Sequence, residues 1–419
     1  MIHMTNVENL TVQEALTAVL APLTILPPEP VALPDALGRV LAAPIIAQDN
    51  LPPFANSSMD GYAFIAADLV SATDDHPATL QVIGDIAAGS APTIHITRGT
   101  AVRIMTGAPI PPGADAVIPV EDTNENWRDK ARPLPATIQI NRPVKPGDYI
   151  RPPGGDIQAG QTVLQAGHII RPQEIGLLAA LGIAELLVVR RPLVGILATG
   201  DELIPITEPL QPGKIRNSNG YAQAAQVAAL GAIPLSLGIA RDSEADVRAK
   251  LQTGLDAGVD LFISSAGVSV GAYDVVKAVL EAEGNIGFWR VRMRPGKPLA
   301  YGSYKGVPYI GLPGNPVSAM VSFERFARAA ILKMAGHTQL ERLQVLAELQ
   351  EEMESDGRES YIRAIVTKHS NGYIATPTGS QDSHMLTSLV RANALLIIPE
   401  GVRHVPAGHM LTAWMLDQP

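Results

Sequence analysis

Three acids and one basic run are the residues whose types and spacing could do chemistry. Glu202 follows the apolar run Leu193–Ala198 in Thr199-Gly200-Asp201-Glu202, Asp242 follows Ile233–Gly238, and Asp274 closes a loop that follows Leu261–Ile263. Singly, each acid reads as a helix cap or an exposed charge, and Asp201 keeps that reading. If the runs are parallel strands, Glu202, Asp242 and Asp274 lie at one sheet edge, where carboxylates without His or Cys suit Mg²⁺. The basic run is Trp289-Arg-Val-Arg-Met-Arg-Pro-Gly-Lys-Pro298. On a strand, Arg290, Arg292 and Arg294 would share a face, and three like charges there need water or an anion to compensate them. An exposed edge strand is the alternative for Arg292; Arg294 and Lys297, bracketing a Pro-Gly turn, point to an anion site.

Two loops could receive that anion. In Leu261-Phe-Ile-Ser-Ser-Ala-Gly-Val-Ser-Val-Gly-Ala-Tyr-Asp274 an apolar run gives way to Ser and Gly, then to helical spacing over Val275–Glu283. Gly lets a ligand approach the backbone, Ser adds donors, and a helix start carries partial positive charge. In Tyr309-Ile-Gly-Leu-Pro-Gly-Asn-Pro-Val-Ser318, Asn315 falls at a cap position and Pro316 at the first helical one. The N–H groups of Val317 and Ser318 are expected to be free.

The elements that must position these loops follow from periodicity. Residues 193–335 alternate strand-like and helical runs, ending in a long helix over Val317–Met334, the pattern of a doubly wound α/β sheet whose ligands sit beyond the strand ends. Thr11–Leu20 and Pro172–Leu181 read as helices, with a shorter helix over Pro34–Ala42. Residues 46–150 hold short β-like runs among many Pro and Gly. From Leu343 four short strands suggest a small sandwich or barrel. The expected class is multidomain α/β: a discontinuous N-terminal α+β domain (1–45 plus 151–190), an inserted β domain (46–150), a doubly wound central domain (191–336) and a C-terminal β domain (340–419).

Composition narrows the partners. With 46% hydrophobic residues there is material for real cores. Only 4% aromatic residues and a net charge of -9 disfavour nucleic acid and anionic membranes. The absence of cysteine removes disulfides and thiolate chemistry and fits a cytoplasmic location.

These motifs, with Asn56-Ser-Ser-Met-Asp-Gly-Tyr-Ala63 and Arg103-Ile-Met-Thr-Gly-Ala-Pro109, closely resemble the molybdopterin molybdenumtransferases, the family of bacterial MoeA and the gephyrin E-domain. The resemblance runs from about Thr11 to the C-terminus. It implies a homodimer, with a cleft between subunits, that inserts molybdate into adenylylated molybdopterin with Mg²⁺, releasing AMP and molybdenum cofactor. Implied partners are a molybdopterin adenylyltransferase as donor and maturation factors of molybdenum enzymes. The family's functional positions would fall on Asp60, Thr106, Asp156, Glu202, Asp242 and Asp274. Glu202, Asp242 and Asp274 are the Mg²⁺ candidates. Pterin and pyrophosphate would lie along Ser265, Gly267, Val268, Ser269 and Gly271, and along Pro313, Gly314, Asn315, Pro316 and Ser318. Molybdate would be held by Arg294, Lys297, Arg363 and Ser383.

The chain departs from the family at Ala266 and Gly155, where many members carry Gly and an acid, and has Arg at 290 and 294 where some carry Lys. The rival readings are a molybdopterin adenylyltransferase, suggested by the central domain alone, and a scaffold of the gephyrin type. A nicotinamide dehydrogenase is disfavoured because no Gly-x-Gly-x-x-Gly opens a helix after a strand.

Overall fold

The computed structural model describes residues 9–125, 133–265 and 275–417. Among them, no helix is long and apolar enough to cross a membrane. The chain divides into two compact units: residues 1–31, 38–42 and 187–419 form one, and residues 32–37 and 43–186 the other.

Helix α1 (Val12–Leu20) begins with a capping box: Glu14 N–H donates to Thr11 Oγ1 at 3.1 Å and Thr11 N–H to Glu14 Oε2 at 2.8 Å. Its buried face, Val12, Ala15, Leu16 and Val19, joins the core of the α/β sheet. Each buried Val or Leu there contributes about 1.5–3 kcal/mol.

The second unit contains a five-stranded sheet built from β1 (Gly61–Phe64), β2 (Ala78–Ile86), β3 (Thr100–Ile104), β4 (Ala116–Pro119) and β5 (Thr137–Ile140), in the order β4-β1-β3-β2-β5. Tyr62, Phe64, Leu80, Ile118 and Ile138 fill one side of it. Gly61 sits where a Cβ would lie 1.9 Å from the Ile118 carbonyl oxygen, so close strand pairing requires glycine. Helix α2 (Pro172–Ala180) carries Leu178 into its own unit. The helix expected over Pro34–Ala42 is only a 3₁₀ turn, Leu33–Ala36; Gly38 follows with a φ of 74° and ends it.

The larger unit holds β6 (Leu193–Thr199), α3 (Ser218–Ala229), β7 (Ile233–Ala240), α4 (Glu244–Asp256), β8 (Leu261–Ser265), α5 (Val275–Glu283), β9 (Gly284–Val291), β10 (Pro298–Tyr304) and β11 (Val307–Leu312). The sheet runs Asn9–Leu10, β9, β10, β11, β8, β6, β7, and only β10 is antiparallel to the rest. Register places Ser265 beside Ala198 and Leu312, and Thr199 beside Ala240. The loops after four strands therefore leave from one rim.

After β11, helix α6 (Pro316–Ser322) passes through a π segment, Phe323–Ala327, into α7 (Arg328–Met334). The single long helix expected from the sequence is thus interrupted. A five-stranded barrel follows: β12 (Gln344–Leu349), β13 (Glu359–His369), β14 (Gly372–Pro377), β15 (Ala394–Ile398) and β16 (Met410–Met415), with α8 (Leu386–Arg391) between β14 and β15. It closes because β13 pairs with both β14 and β15. Strand β14 and helix α8 escaped the sequence reading. Barrel residues Tyr361, Leu395 and Trp414 share a core with the α/β sheet, and the Arg325 guanidinium stacks 5.0 Å over Trp414.

Candidate functional site

The basic run does not form one strand. Strand β9 stops at Val291, and Met293–Arg294 pairs instead with Glu359–Ser360 of the barrel. Its arginines part company. Arg290 stays exposed on β9. Arg292 bonds the Glu400 carboxylate and the Asn9 carbonyl oxygen. Arg294 turns toward the barrel, 3.9 Å from an Asp356 oxygen. That carboxyl is held below its ordinary value chiefly by its own bonds to Arg358, so Arg294 is only loosely neutralised. The Arg294-Pro-Gly-Lys297 turn lies against α6: a Cβ at Gly296, whose φ is 111°, would sit 2.3 Å from Ser322 Oγ. Lys297 is exposed.

Arg363, on β13, is the largest fully buried side chain, at 1% exposure. Its partners are neutral. Nε donates to Ser388 Oγ at 3.0 Å, and Nη2 donates to the carbonyls of Ser380 (3.3 Å) and Asp382 (3.1 Å). Burial pushes its pKa down to about 10, with the Asp382 carboxylate opposing that shift and the Arg294 charge adding to it. Two guanidinium groups thus face each other's field while one is almost dry. A buried charge of this kind is stabilised by an opposite charge brought from outside.

The same loop reaches the start of α6. Ser383 Oγ accepts from Asn315 Nδ2 at 3.1 Å, and the Ser383 carbonyl accepts from Val317 N–H at 3.2 Å. The N–H of Val317 is therefore engaged rather than free, and Asn315, although at the N-cap position, spends its amide on Ser383 instead of the helix. From the other side, Asn219 Nδ2 donates to the Gly314 carbonyl at 2.8 Å. Pro313 and Ser318 are buried; Gly314 and Asn315 are exposed.

At the sheet rim, Thr199, Glu202, Asn219, Ser265, Gly314 and Pro316 help line a cleft of about 90 Å³. A larger cleft of about 770 Å³, with Asp201, Lys214, Tyr221 and Arg241 in its walls, lies beside it and shares Leu203 and Asn217. Asp201 and Asp242 bond reciprocally: Asp242 N–H donates to Asp201 Oδ1 at 3.2 Å and Asp201 N–H to Asp242 Oδ2 at 3.4 Å. Asp201 thus ties the loops after β6 and β7 together. Glu202 folds over Gly200, where a Cβ would meet its carboxylate at 2.4 Å. Both Glu202 and Asp242 are exposed and offer only oxygen donors, the kind Mg²⁺ takes. Among the described residues no three acids or imidazoles are grouped to hold a metal. Gly267, Val268, Ser269, Gly271 and Asp274, with Ala266, lie outside the described residues.

In the second unit, Asp60 Oδ1 accepts from Thr106 N–H at 2.7 Å and Thr106 Oγ1 at 2.8 Å, which fixes the carboxylate. Asp156 is exposed; its N–H donates to the Leu51 carbonyl, and no side-chain bond joins it to Asp60 or Thr106 among the described residues.

Comparison with known proteins assigns the family. Residues 10–182 match the family described as MoeA N-terminal region (domain I and II), residues 195–333 the probable molybdopterin binding domain, and residues 347–416 the MoeA C-terminal region (domain IV). Molybdopterin molybdenumtransferase 2 of Mycobacterium tuberculosis is 41% identical over 396 residues, covering 93% of this chain and 95% of that protein. The chain belongs to the molybdopterin molybdenumtransferase family. The Haemophilus influenzae member is 36% identical over 91% of this chain and 92% of its own length. A solved MoeA protein of Pyrococcus horikoshii superposes with a TM-score of 0.81 at 31% identity, covering 97% of this chain and all of that one. As in other family members, the activity is that of a transferase in molybdenum cofactor biosynthesis.

Sequence reasoning missed Asn219, Gln381, Ser388 and the pairing role of Asp201. The run Asn217-Ser-Asn219 was a readable helix-start signal. Nothing local marks Ser388, which meets Arg363 only through the barrel.

Proposed function

We propose that this enzyme inserts molybdate into adenylylated molybdopterin, hydrolysing the adenylate and releasing AMP to give molybdenum cofactor. The observation that carries the reading is Arg363: a dry guanidinium solvated by neutral oxygens, beside the loosely neutralised Arg294 and next to the Ser383–Asn315 bond. Among the described residues no carboxylate bonds the Arg363 guanidinium directly, although the Asp382 charge acts on it, so an anionic ligand would complete its solvation. Molybdate is a tetrahedral oxyanion and needs donors rather than a nucleophile. Arg363, Arg294, Lys297 and Ser383 would hold it. The pterin dithiolene would supply the sulfur, which fits a chain without cysteine.

Pterin and pyrophosphate would lie along Ser265–Gly271 and Pro313–Ser318. Mg²⁺ would be held by Glu202 and Asp242, with Asp274, and would polarise the phosphoanhydride. Asp60, Thr106 and Asp156 complete the proposed set, Asp60 being held in one orientation by Thr106. The active form would be a cytoplasmic homodimer, fed by a molybdopterin adenylyltransferase and delivering to maturation factors of molybdenum enzymes. The same reading divides the chain into a discontinuous N-terminal domain, an inserted β domain, a doubly wound central domain and a C-terminal β domain.

The test is incubation of the pure protein with adenylylated molybdopterin, Mg²⁺ and molybdate. Molybdate-dependent release of AMP with formation of active cofactor is expected. Formation of adenylylated pterin from ATP and metal-free molybdopterin, without molybdate-dependent AMP release, would replace this reading with the adenylyltransferase.

A further inference from the structure

Gln381 is uncharged, yet it is tied to both main-chain groups of Arg363. Its Oε1 accepts from Arg363 N–H at 2.9 Å, and its Nε2 donates to the Arg363 carbonyl at 3.2 Å. Strand β14 pairs with β13 from Ala364 onward, and beyond it the Thr378 N–H still donates to the Arg363 carbonyl at 2.9 Å, while the Arg363 N–H goes to Gln381. For the Arg363 N–H the Gln381 amide supplies the acceptor that a neighbouring peptide would supply in a ladder, and at the carbonyl it joins the Thr378 N–H. Its Nε2 also donates to the Gly379 carbonyl at 3.1 Å, which fixes the loop to itself. The carbonyls on either side, of Ser380 and Asp382, are the ones that receive Arg363 Nη2. The next residue is Ser383, which holds Asn315 and Val317 at the start of α6.

We propose that Gln381 is a positioning residue for the oxyanion site, setting the Arg363 guanidinium and Ser383 in one fixed relation without touching the anion itself. The proposal rests on the oxyanion reading of Arg363. Residues 379–383 take up Nε2-to-backbone and guanidinium-to-backbone bonds on both faces of one arginine, so the loop and the cation move as a unit. Among the described residues, Nη1 of Arg363 makes none of these bonds. Losing the Gln381 amide would loosen the loop, the Arg363 guanidinium and Ser383 together. Mutating the outer partner of a metal-ligating group typically weakens metal binding about 10- to 100-fold, and a similar scale is expected for a group that ligates an oxyanion.

The experiment measures molybdate binding to the full-length protein by titration calorimetry, alongside insertion kinetics and thermal melting. Gln381→Met keeps the length and removes the amide; it is expected to raise the molybdate Kd about ten-fold or more. At saturating molybdate, kcat should remain within about three-fold of the parent, because the reacting groups are untouched. Thr378→Val, which removes a hydroxyl shared between the carbonyls of Arg363 (3.2 Å) and Ser388 (3.0 Å) but leaves both Gln381 bonds to Arg363, should keep the parent Kd. If Gln381→Met does not fold, Gln381→Asn, an amide one methylene short, is measured instead, with the same expectation. Equal molybdate Kd in parent and variant overturns the positioning role alone. Failure of the parent chain to bind molybdate overturns the oxyanion reading and this proposal with it.

Discussion

A guanidinium almost out of water with only hydroxyl and carbonyl partners is an expensive feature, and its expense defines what it can bind. Arg363 makes directed, planar contacts, so charge alone should not replace it. Arg363→Lys is expected to raise the half-saturating molybdate concentration roughly ten-fold, read from initial rates of AMP release. Retention of parental molybdate dependence in that variant would remove Arg363 from the oxyanion site. A second residue-scale case is Glu174 in the other unit, which accepts from Arg171 Nη2 at 2.6 Å and lies 3.0 Å from His168 Nε2. Those Arg171 bonds, outweighing burial, hold its carboxyl well below the usual range. A depressed carboxylate contributes stability that is full above its unfolded pKa and fades as pH falls toward the folded one. The melting-temperature gap between the parent and Glu174→Gln should therefore be widest near neutral pH and shrink in acid; a gap independent of pH between 7 and 3 would contradict this.

At the scale of elements, local chemistry fixed ends better than it fixed partners. The cap at Thr11 was readable from its hydroxyl and from the apolar spacing behind it, and α1 forms where expected; the reciprocal bond from Glu14 appears only in the structure. Thr11→Ala should cost about 1 kcal/mol in chemical denaturation, the usual value of a lost cap. The basic run shows the opposite case. Alternation predicted three arginines on one face, but the strand changes sheets after Val291, and Arg292 and Arg294 gain different partners. Period-two spacing says which side chains share a face only while one strand continues. Glycine in Met59-Asp-Gly-Tyr62 is likewise explained by a contact across the sheet. Gly61→Ala would place a Cβ against the Ile118 carbonyl, and should lower the melting temperature by several degrees or abolish soluble expression. Unchanged melting would mean that β1 and β4 separate at little cost.

For the whole molecule the decisive contrast is a net charge of -9 around the proposed oxyanion site. Bulk attraction for anions is absent, so binding should depend on fit to Arg294, Arg363 and their loop. Tungstate, with the same shape and charge, should compete with molybdate more strongly than monovalent chloride at equal concentration. Equal inhibition by both would point to screening rather than to a shaped site. Light scattering coupled to size-exclusion chromatography tests the proposed homodimer directly, with a mass near twice 44.3 kDa expected.

The sequence by itself determined the alternating α/β core, the short strands between residues 46 and 150, the rim on which Glu202, Asp242 and Pro313–Ser318 leave their strands, and the family. These rest on periodicity, turn chemistry and motif order, all carried by neighbours along the chain. Only the tertiary structure decided that β13 closes a barrel, that Asn315 and Val317 bind Ser383 rather than stand free, and that Arg363 is buried among neutral acceptors offered by Ser380, Asp382 and Ser388. Those partners lie from 17 to 68 residues apart in sequence. No local propensity encodes such pairings; closure of the barrel against the α/β core brings them into reach.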